Sequence, residues 1–163
     1  AARTDALLTS GGAGRGDYDM VARALGKIGW KEVFHRIRIG PGKTVGFGLL
    51  GEKPVFILPG GPPSNAIAFL QVALPGLLAL SGHPNPGLRT IKGRLGCALM
   101  KGDIDWTDFF FGTITFEDGL PVFNPQKKLS RLATIAGATA IAAIPEGYDH
   151  LPEGSIIDVQ VLD

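Results

Sequence analysis

Twice in the first 65 residues an apolar run of strand length ends in glycine and gives way to a helical pattern. That repeated junction constrains the fold more than any other feature. Ala6-Leu7-Leu8-Thr9 runs into Ser10-Gly11-Gly12, and Lys53–Leu58 runs into Pro59-Gly60-Gly61-Pro62-Pro63. A short apolar run feeding a glycine turn is the pattern of a buried strand in an α/β sheet. Ligands bind such sheets outside the carboxyl ends of their strands, so two junctions predict one crevice.

Between the junctions the hydrophobic period changes. From Asp17 to Ile28, the residues Met20, Val21, Ala24, Leu25 and Ile28 share one helical face, with Asp17 and Asp19 as cap and first-turn carboxylate and Gly29 as terminator. Val33–Ile39 alternates as a strand, with Val33, His35, Ile37 and Ile39 on one face. Thr44–Leu50 and Lys53–Leu58 predict a hairpin turning at Gly51-Glu52. Ser64 or Asn65 is expected to cap a helix that reaches about Leu80 and is kinked or broken at Pro75. Its apolar stretch, Ala66–Leu80, falls short of the roughly twenty residues a bilayer requires, and a soluble protein without a membrane partner is expected.

Ser81–Gly87 holds four proline or glycine residues in seven and reads as a linker. Beyond it, β-type runs recur at Arg89–Leu95, Thr107–Phe116, Leu120–Phe123, Thr139–Ile144 and Ser155–Leu162, with one short helix at Leu129–Ala136. That spacing predicts a small barrel or sandwich. The expected fold class is therefore α/β, an incomplete three-layer domain over residues 1–82, followed by an all-β barrel over residues 83–163.

Composition narrows the function. Sixteen basic against 15 acidic residues leave a net charge of +1, which argues against nucleic acid or an anionic membrane as partner but permits a small anion pocket. Glycine is abundant, 24 of 163 residues, and interleaves with apolar runs as turns and close-approach points do. The single cysteine, Cys97, excludes an internal disulfide and a cysteine-only zinc site, and points to a reducing, cytoplasmic compartment. A first residue of alanine, with no signal pattern after it, is expected of a piece of a longer protein.

Three loops carry the candidate chemistry. Thr9-Ser10-Gly11-Gly12 through Gly16-Asp17-Tyr18-Asp19 joins a strand end to a helix start, where backbone N–H groups and the helix dipole favour an anion. It lacks the dinucleotide fingerprint, which needs glycine where Asp17 stands. Pro41-Gly42-Lys43 places a lysine on a rigid turn. It is not a P-loop, because that motif needs glycine at Ile37 and a helix where Val45–Leu49 reads as a strand. Pro59-Gly60-Gly61-Pro62-Pro63-Ser64 is the third. His35, His83 and His150 show no metal-ligand spacing, and His35 reads as packed rather than catalytic. Asp103, Asp105 and Asp108 lack the rest of a calcium loop, and Phe109-Phe110-Phe111 reads as core.

In this order and spacing the three loops resemble the molybdopterin molybdenumtransferases of the MoeA and gephyrin E-domain type, and Leu129–Gly147 resembles that family's C-terminal barrel. The resemblance implies insertion of molybdate into adenylylated molybdopterin with release of AMP, a divalent metal such as magnesium, and a homodimer of the whole protein. It assigns Asp19 and Lys43 to catalysis, with Asp19 a metal ligand or a hydrogen-bonding group. It assigns Ser10, Gly11, Gly12, Gly16, Asp17, Pro41, Gly42, Pro59, Gly60, Pro62 and Ser64 to the substrate pocket. The chain departs from the family at Ala13-Gly14-Arg15, at Gly40 where lysine is frequent, and at Gly61 where asparagine is usual. Arg15 and Arg38 are candidate replacements for the missing charge. Two other functions stay open: a non-catalytic molybdopterin-binding or scaffold module on the same fold, and a generic phosphate-binding α/β enzyme.

Overall fold

The computed structural model describes residues 4–13, 20–126 and 132–162. In chain order the elements are β1 (Leu7–Ser10), α1 (Met20–Lys27), β2 (Trp30–His35), β3 (Ile39–Gly40), β4 (Gly46–Leu50) and β5 (Lys53–Leu58). Then come α2 (Pro62–Ala68), a π-helical turn (Phe69–Ala73), α3 (Leu74–Leu80), β6 (Thr90–Leu95), β7 (Leu99–Met100), β8 (Thr107–Glu117) and β9 (Leu120–Pro125). Last are α4 (Ala133–Ala136), β10 (Ala140–Ile144), β11 (His150–Leu151) and β12 (Ile156–Val161). They form two compact units: the described residues up to Ile37 with Pro41–Gly87, and Arg38–Gly40 with the described residues from Leu88 onward.

The first unit is a mixed sheet in the order β1-β5-β4-β2, with β1 parallel to β5 and the other pairs antiparallel. β5 is buried on both faces because its alternate residues serve two cores. Val55 and Ile57 join Leu25 and Trp30 on the α1 side, while Phe56 and Leu58 join Ala68 and Ala73 on the α2–α3 side. Burying each of these larger side chains contributes about 1.5–3 kcal/mol, so the central strand anchors all three layers. On the α2–α3 side Phe34, Phe47 and Phe56 form a tilted ring series, with centroids 5.6 and 5.0 Å apart.

Three local expectations are corrected. The strand expected over Val33–Ile39 is two elements. A β-bulge between Glu32 and Phe34 leaves Val33 60% exposed, so Val33 and His35 do not share a packed face. Arg36, with φ 73°, then ends β2, and Ile39–Gly40 pairs with β8 in the second unit. Neither Ser64 nor Asn65 caps α2. Gly61 is the N-cap and Pro62 follows it, a position where proline's missing N–H costs no helical bond. Pro75 does not break the helix. The π turn, in which the Leu74 N–H donates to the Phe69 carbonyl, absorbs it, and one helix runs from Pro62 to Leu80. By length and composition alone this 19-residue helix (mean hydropathy 1.5) is long and apolar enough to cross a membrane; here its Ala68 and Ala73 pack on the sheet.

In the second unit β10, β12, β6, β9 and β8 pair in sequence, and β8 pairs again with β10. The result is a closed five-stranded barrel, with β3 added beside β8. Leu95, Phe123, Ala140, Ala142, Ile144 and Val159 fill it. β8 and β9 turn at Asp118-Gly119, both in the left-handed region (φ 50° and 78°), as a two-residue type I′ hairpin requires. The expected helix at Leu129–Ala136 is described from Ala133; its earlier residues lie outside the described ones.

Candidate functional site

One transverse row of residues organises the first sheet: Thr9 on β1, Ile57 on β5, Gly46 on β4 and His35 on β2 are mutual register partners. Strand directions place four segments beyond that row at the same edge. Ser10–Ala13 leaves β1, Leu58–Gly61 leaves β5, Pro41–Val45 enters β4, and Arg36 leaves β2. The topology thus brings Ser10, Gly11, Gly12, Pro41, Gly42, Lys43, Pro59, Gly60, Pro62 and Ser64 to one edge. Gly16, Asp17 and Asp19 lie outside the described residues, as does Arg15.

The two glycine loops meet backbone to backbone. The Gly11 N–H donates to the Leu58 carbonyl at 3.0 Å and extends the parallel ladder by one bond. That N–H is therefore engaged within the fold. Gly11 and Gly12 both take left-handed φ, 88° and 63°, and turn the chain sharply off the strand. A Cβ on Gly60 would stand 3.3 Å from the Gly11 Cα, a tight approach to backbone, while at Gly11 it is the left-handed φ that disfavours a side chain. Asn65, one turn into α2, crosses between them: its Nδ2 donates to the Pro59 carbonyl at 2.7 Å and to Ser10 Oγ at 3.0 Å. Thr9 Oγ1, at the foot of the first turn, is buried without a hydrogen-bond partner. Gly61 borders open space, so an asparagine would fit there; the amide at this loop comes instead from Asn65.

The Pro41–Val45 turn is pinned by its main chain. The Gly42 carbonyl accepts from the Val45 N–H, the Lys43 carbonyl from Ile37, and the Val45 carbonyl from Arg36, at 3.1, 3.1 and 2.9 Å. Gly42, at φ 120°, is buried, while Lys43 is exposed at the tip. Arg38 is engaged elsewhere: its guanidinium pairs with Glu146 at 2.8 Å in the second unit, which offsets the charge it was expected to supply. Beside it, a side chain on Gly40 would run into the Asp108 carboxylate.

His35 has a role that period-two alternation did not reveal. Gly46 leaves room for the imidazole, with an added Cβ there only 3.1 Å from His35 Cδ2. The ring reaches over to donate from Nε2 to the Ala13 carbonyl at 2.6 Å, and its side chain is 3% exposed. Because a carbonyl only accepts, Nε2 carries the hydrogen. Packing was expected of this residue; its polar atom also holds the end of the first glycine turn. His35→Ala leaves that carbonyl without its donor and is expected to lose about 1–3 kcal/mol of stability, with partial recovery in His35→Gln, whose amide nitrogen reaches a similar point. Thermal unfolding of the two variants checks it.

Among the described residues no group of three or more His, Cys, Asp or Glu side chains is placed to hold a metal ion. Asp103 accepts from the Asp105 N–H at 2.9 Å in an ordinary turn. Asp19, the expected metal ligand, lies outside the described residues, and no step is assigned to magnesium. An apolar concavity of about 340 Å³ lined by Phe34, Phe47, Phe56, Val72 and Leu80 shares no residue with these loops.

The chain is similar to known proteins along most of its length. A family described as a probable molybdopterin binding domain matches residues 1–79. The chain is 28% identical to molybdopterin molybdenumtransferase 1 of Mycobacterium tuberculosis, over 98% of this chain and 39% of that protein. It is 27% identical to molybdopterin molybdenumtransferase of Synechococcus elongatus, over 96% and 38% respectively. The crystal structure of the molybdopterin biosynthesis MoeA protein from Pyrococcus horikosii superposes with a TM-score of 0.77 at 27% identity, covering 98% of this chain and 38% of that one. The chain spans about two fifths of the length of the curated relatives it matches. Both the mixed sheet with its glycine loops and the five-stranded barrel are accounted for by one lineage: along nearly its whole length the chain is similar to proteins of the MoeA type, and its first 79 residues match their molybdopterin binding domain.

Proposed function

We propose that the loop edge of the first sheet binds the phosphate-bearing end of adenylylated molybdopterin, as part of a protein that inserts molybdate into it with release of AMP. The observation that carries this reading is the convergence of three sequence-distant loops at one edge, two of them joined through Gly11, Gly60 and Asn65. Two strand ends without side-chain bulk admit a polyanion closely, and an exposed lysine on a pinned turn supplies positive charge at low reorganisation cost. Lys43 would hold the phosphate oxygens and compensate the charge that gathers on the leaving phosphate as the anhydride is cleaved. Magnesium, a homodimer of the whole protein and a cytoplasmic setting belong to the same reading; the last is in keeping with Cys97, which is exposed and unpaired.

Calorimetric titration of the chain with adenylylated molybdopterin, beside Lys43→Ala, tests the binding claim. Saturable binding is expected, weakened about tenfold or more by the substitution, in the range of a lost charge-assisted hydrogen bond. Equal affinity for both proteins would remove Lys43 from the site. A second reading, a non-catalytic module that binds the pterin, is favoured by Gly40, because Asp108 fills the space a side chain there would take. Molybdate-dependent AMP release by the full-length protein separates the two; binding without AMP release would select the module.

A further inference from the structure

We propose that Asn65 is a positioning residue that makes the Ser10 hydroxyl a hydrogen-bond donor for an anionic group seated between the two glycine loops; this rests on the binding reading above. The argument begins with the amide's orientation. The Pro59 carbonyl accepts and cannot donate, so the side-chain group 2.7 Å from it is the NH₂ end of Asn65. That nitrogen has two hydrogens. The second goes to Ser10 Oγ at 3.0 Å. A serine oxygen that already accepts from Asn65 keeps its own hydrogen on the side away from the amide. Ser10 is exposed at the end of β1, one residue before the Gly11–Gly60 approach, so its hydrogen is left for whatever enters the edge.

The consequence is selectivity of sign. An acceptor such as a phosphate oxygen meets a hydroxyl polarised by the amide behind it, whereas a cation or N–H donor meets the wrong end. The same amide fixes the separation of the loops, since both acceptors are served from one nitrogen. Asn65 is itself held: its backbone N–H donates to the Gly61 carbonyl at 2.8 Å in the first turn of α2.

The test is calorimetric titration with adenylylated molybdopterin of the wild-type chain and of Ser10→Ala, Asn65→Ala, Asn65→Asp and the Ser10→Ala/Asn65→Ala double variant, each with its unfolding midpoint measured. Ser10→Ala and Asn65→Ala are each expected to weaken binding about tenfold to a hundredfold, the range for a hydrogen bond to a charged group. The double variant is expected to bind no more weakly than the weaker single, because one residue acts through the other. Asn65→Asp, nearly isosteric, is expected to be worse than Asn65→Ala: its carboxylate faces the Pro59 carbonyl and takes the Ser10 hydrogen for itself. Additive losses, an Asn65→Asp variant that binds as well as wild type, or losses that only follow the unfolding midpoints would overturn the proposal. A wild-type chain with no saturable binding would remove the binding reading together with this inference; wild-type binding with additive losses removes the inference alone.

Discussion

Substitution of Gly112 by alanine is expected to lower the unfolding midpoint of the second unit by about 10 °C or more, from an overpacking cost of about 3 kcal/mol. Gly112 sits where the barrel closes: it is opposite Pro125 on β9 and Ala140 on β10, and its carbonyl accepts from the Thr139 N–H at 2.9 Å. A Cβ there would lie 2.5 Å from the Asn124 carbonyl oxygen and 2.5 Å from Phe123 Cζ. Neither neighbour can yield, since one is strand backbone and the other a fully buried ring at the centre of the core. Gly102→Ala, which meets nothing within 4 Å, is the control and should leave the midpoint unchanged. Differential scanning calorimetry distinguishes the outcomes; an unshifted Gly112→Ala transition would mean the strands close in another way.

The second large effect is expected at the site. Gly12→Val asks a β-branched residue to hold φ 63°, which costs about 1–2 kcal/mol in backbone conformation alone. It also sets the new Cβ 2.7 Å from Val21 Cγ2, a side chain of α1 packed on the Trp30 core, for about 1–3 kcal/mol more. Relief requires the turn to move off the sheet or α1 to move away, and the first displaces Ala13 from His35 and Gly11 from Gly60. Loss of both stability and affinity for adenylylated molybdopterin is expected, the latter by more than about tenfold. Gly61→Ala, at φ −74° beside open space, should change the midpoint little. A Gly12→Val chain that melts and binds as wild type would place the first turn outside the site.

Much of the architecture was legible because burial writes itself into local pattern. β5 read correctly over Lys53–Leu58, since a strand buried on both faces is a continuous apolar run. The barrel strands read to within a residue or two because their alternation and their Asp-Gly or Pro-Glu-Gly turns are local signals. Where distant residues decide the outcome, the pattern failed. The bulge at Val33 answers to the pairing of Phe34 with Phe47, so strict alternation across Val33–Ile39 misplaced the packed face. Pro75 has the local signature of a break because its own sequence says nothing of the π turn, Phe69–Ala73, that accommodates it just before.

The site divides the same way. The residue types were visible: glycine where two backbones touch, proline before and after, a lysine on a Pro-Gly turn. Asn65 was read as a cap because an asparagine near a helix start has the same local signature whether it serves its own helix or a neighbouring loop. Its actual acceptors are a carbonyl six residues back and a hydroxyl 55 residues away, and the second becomes a neighbour only when β1 lies parallel to β5. His35 likewise acquires its acceptor, Ala13, only after β2 and β4 have paired and Gly46 has left the space above them empty. Local chemistry along the chain was enough to specify most of the strand, turn and helix segments, and which loops are candidates for an anion. Which polar atoms face one another across those loops was decided by register, because hydrogen-bond partners are set by positions in space that no single segment of sequence encodes.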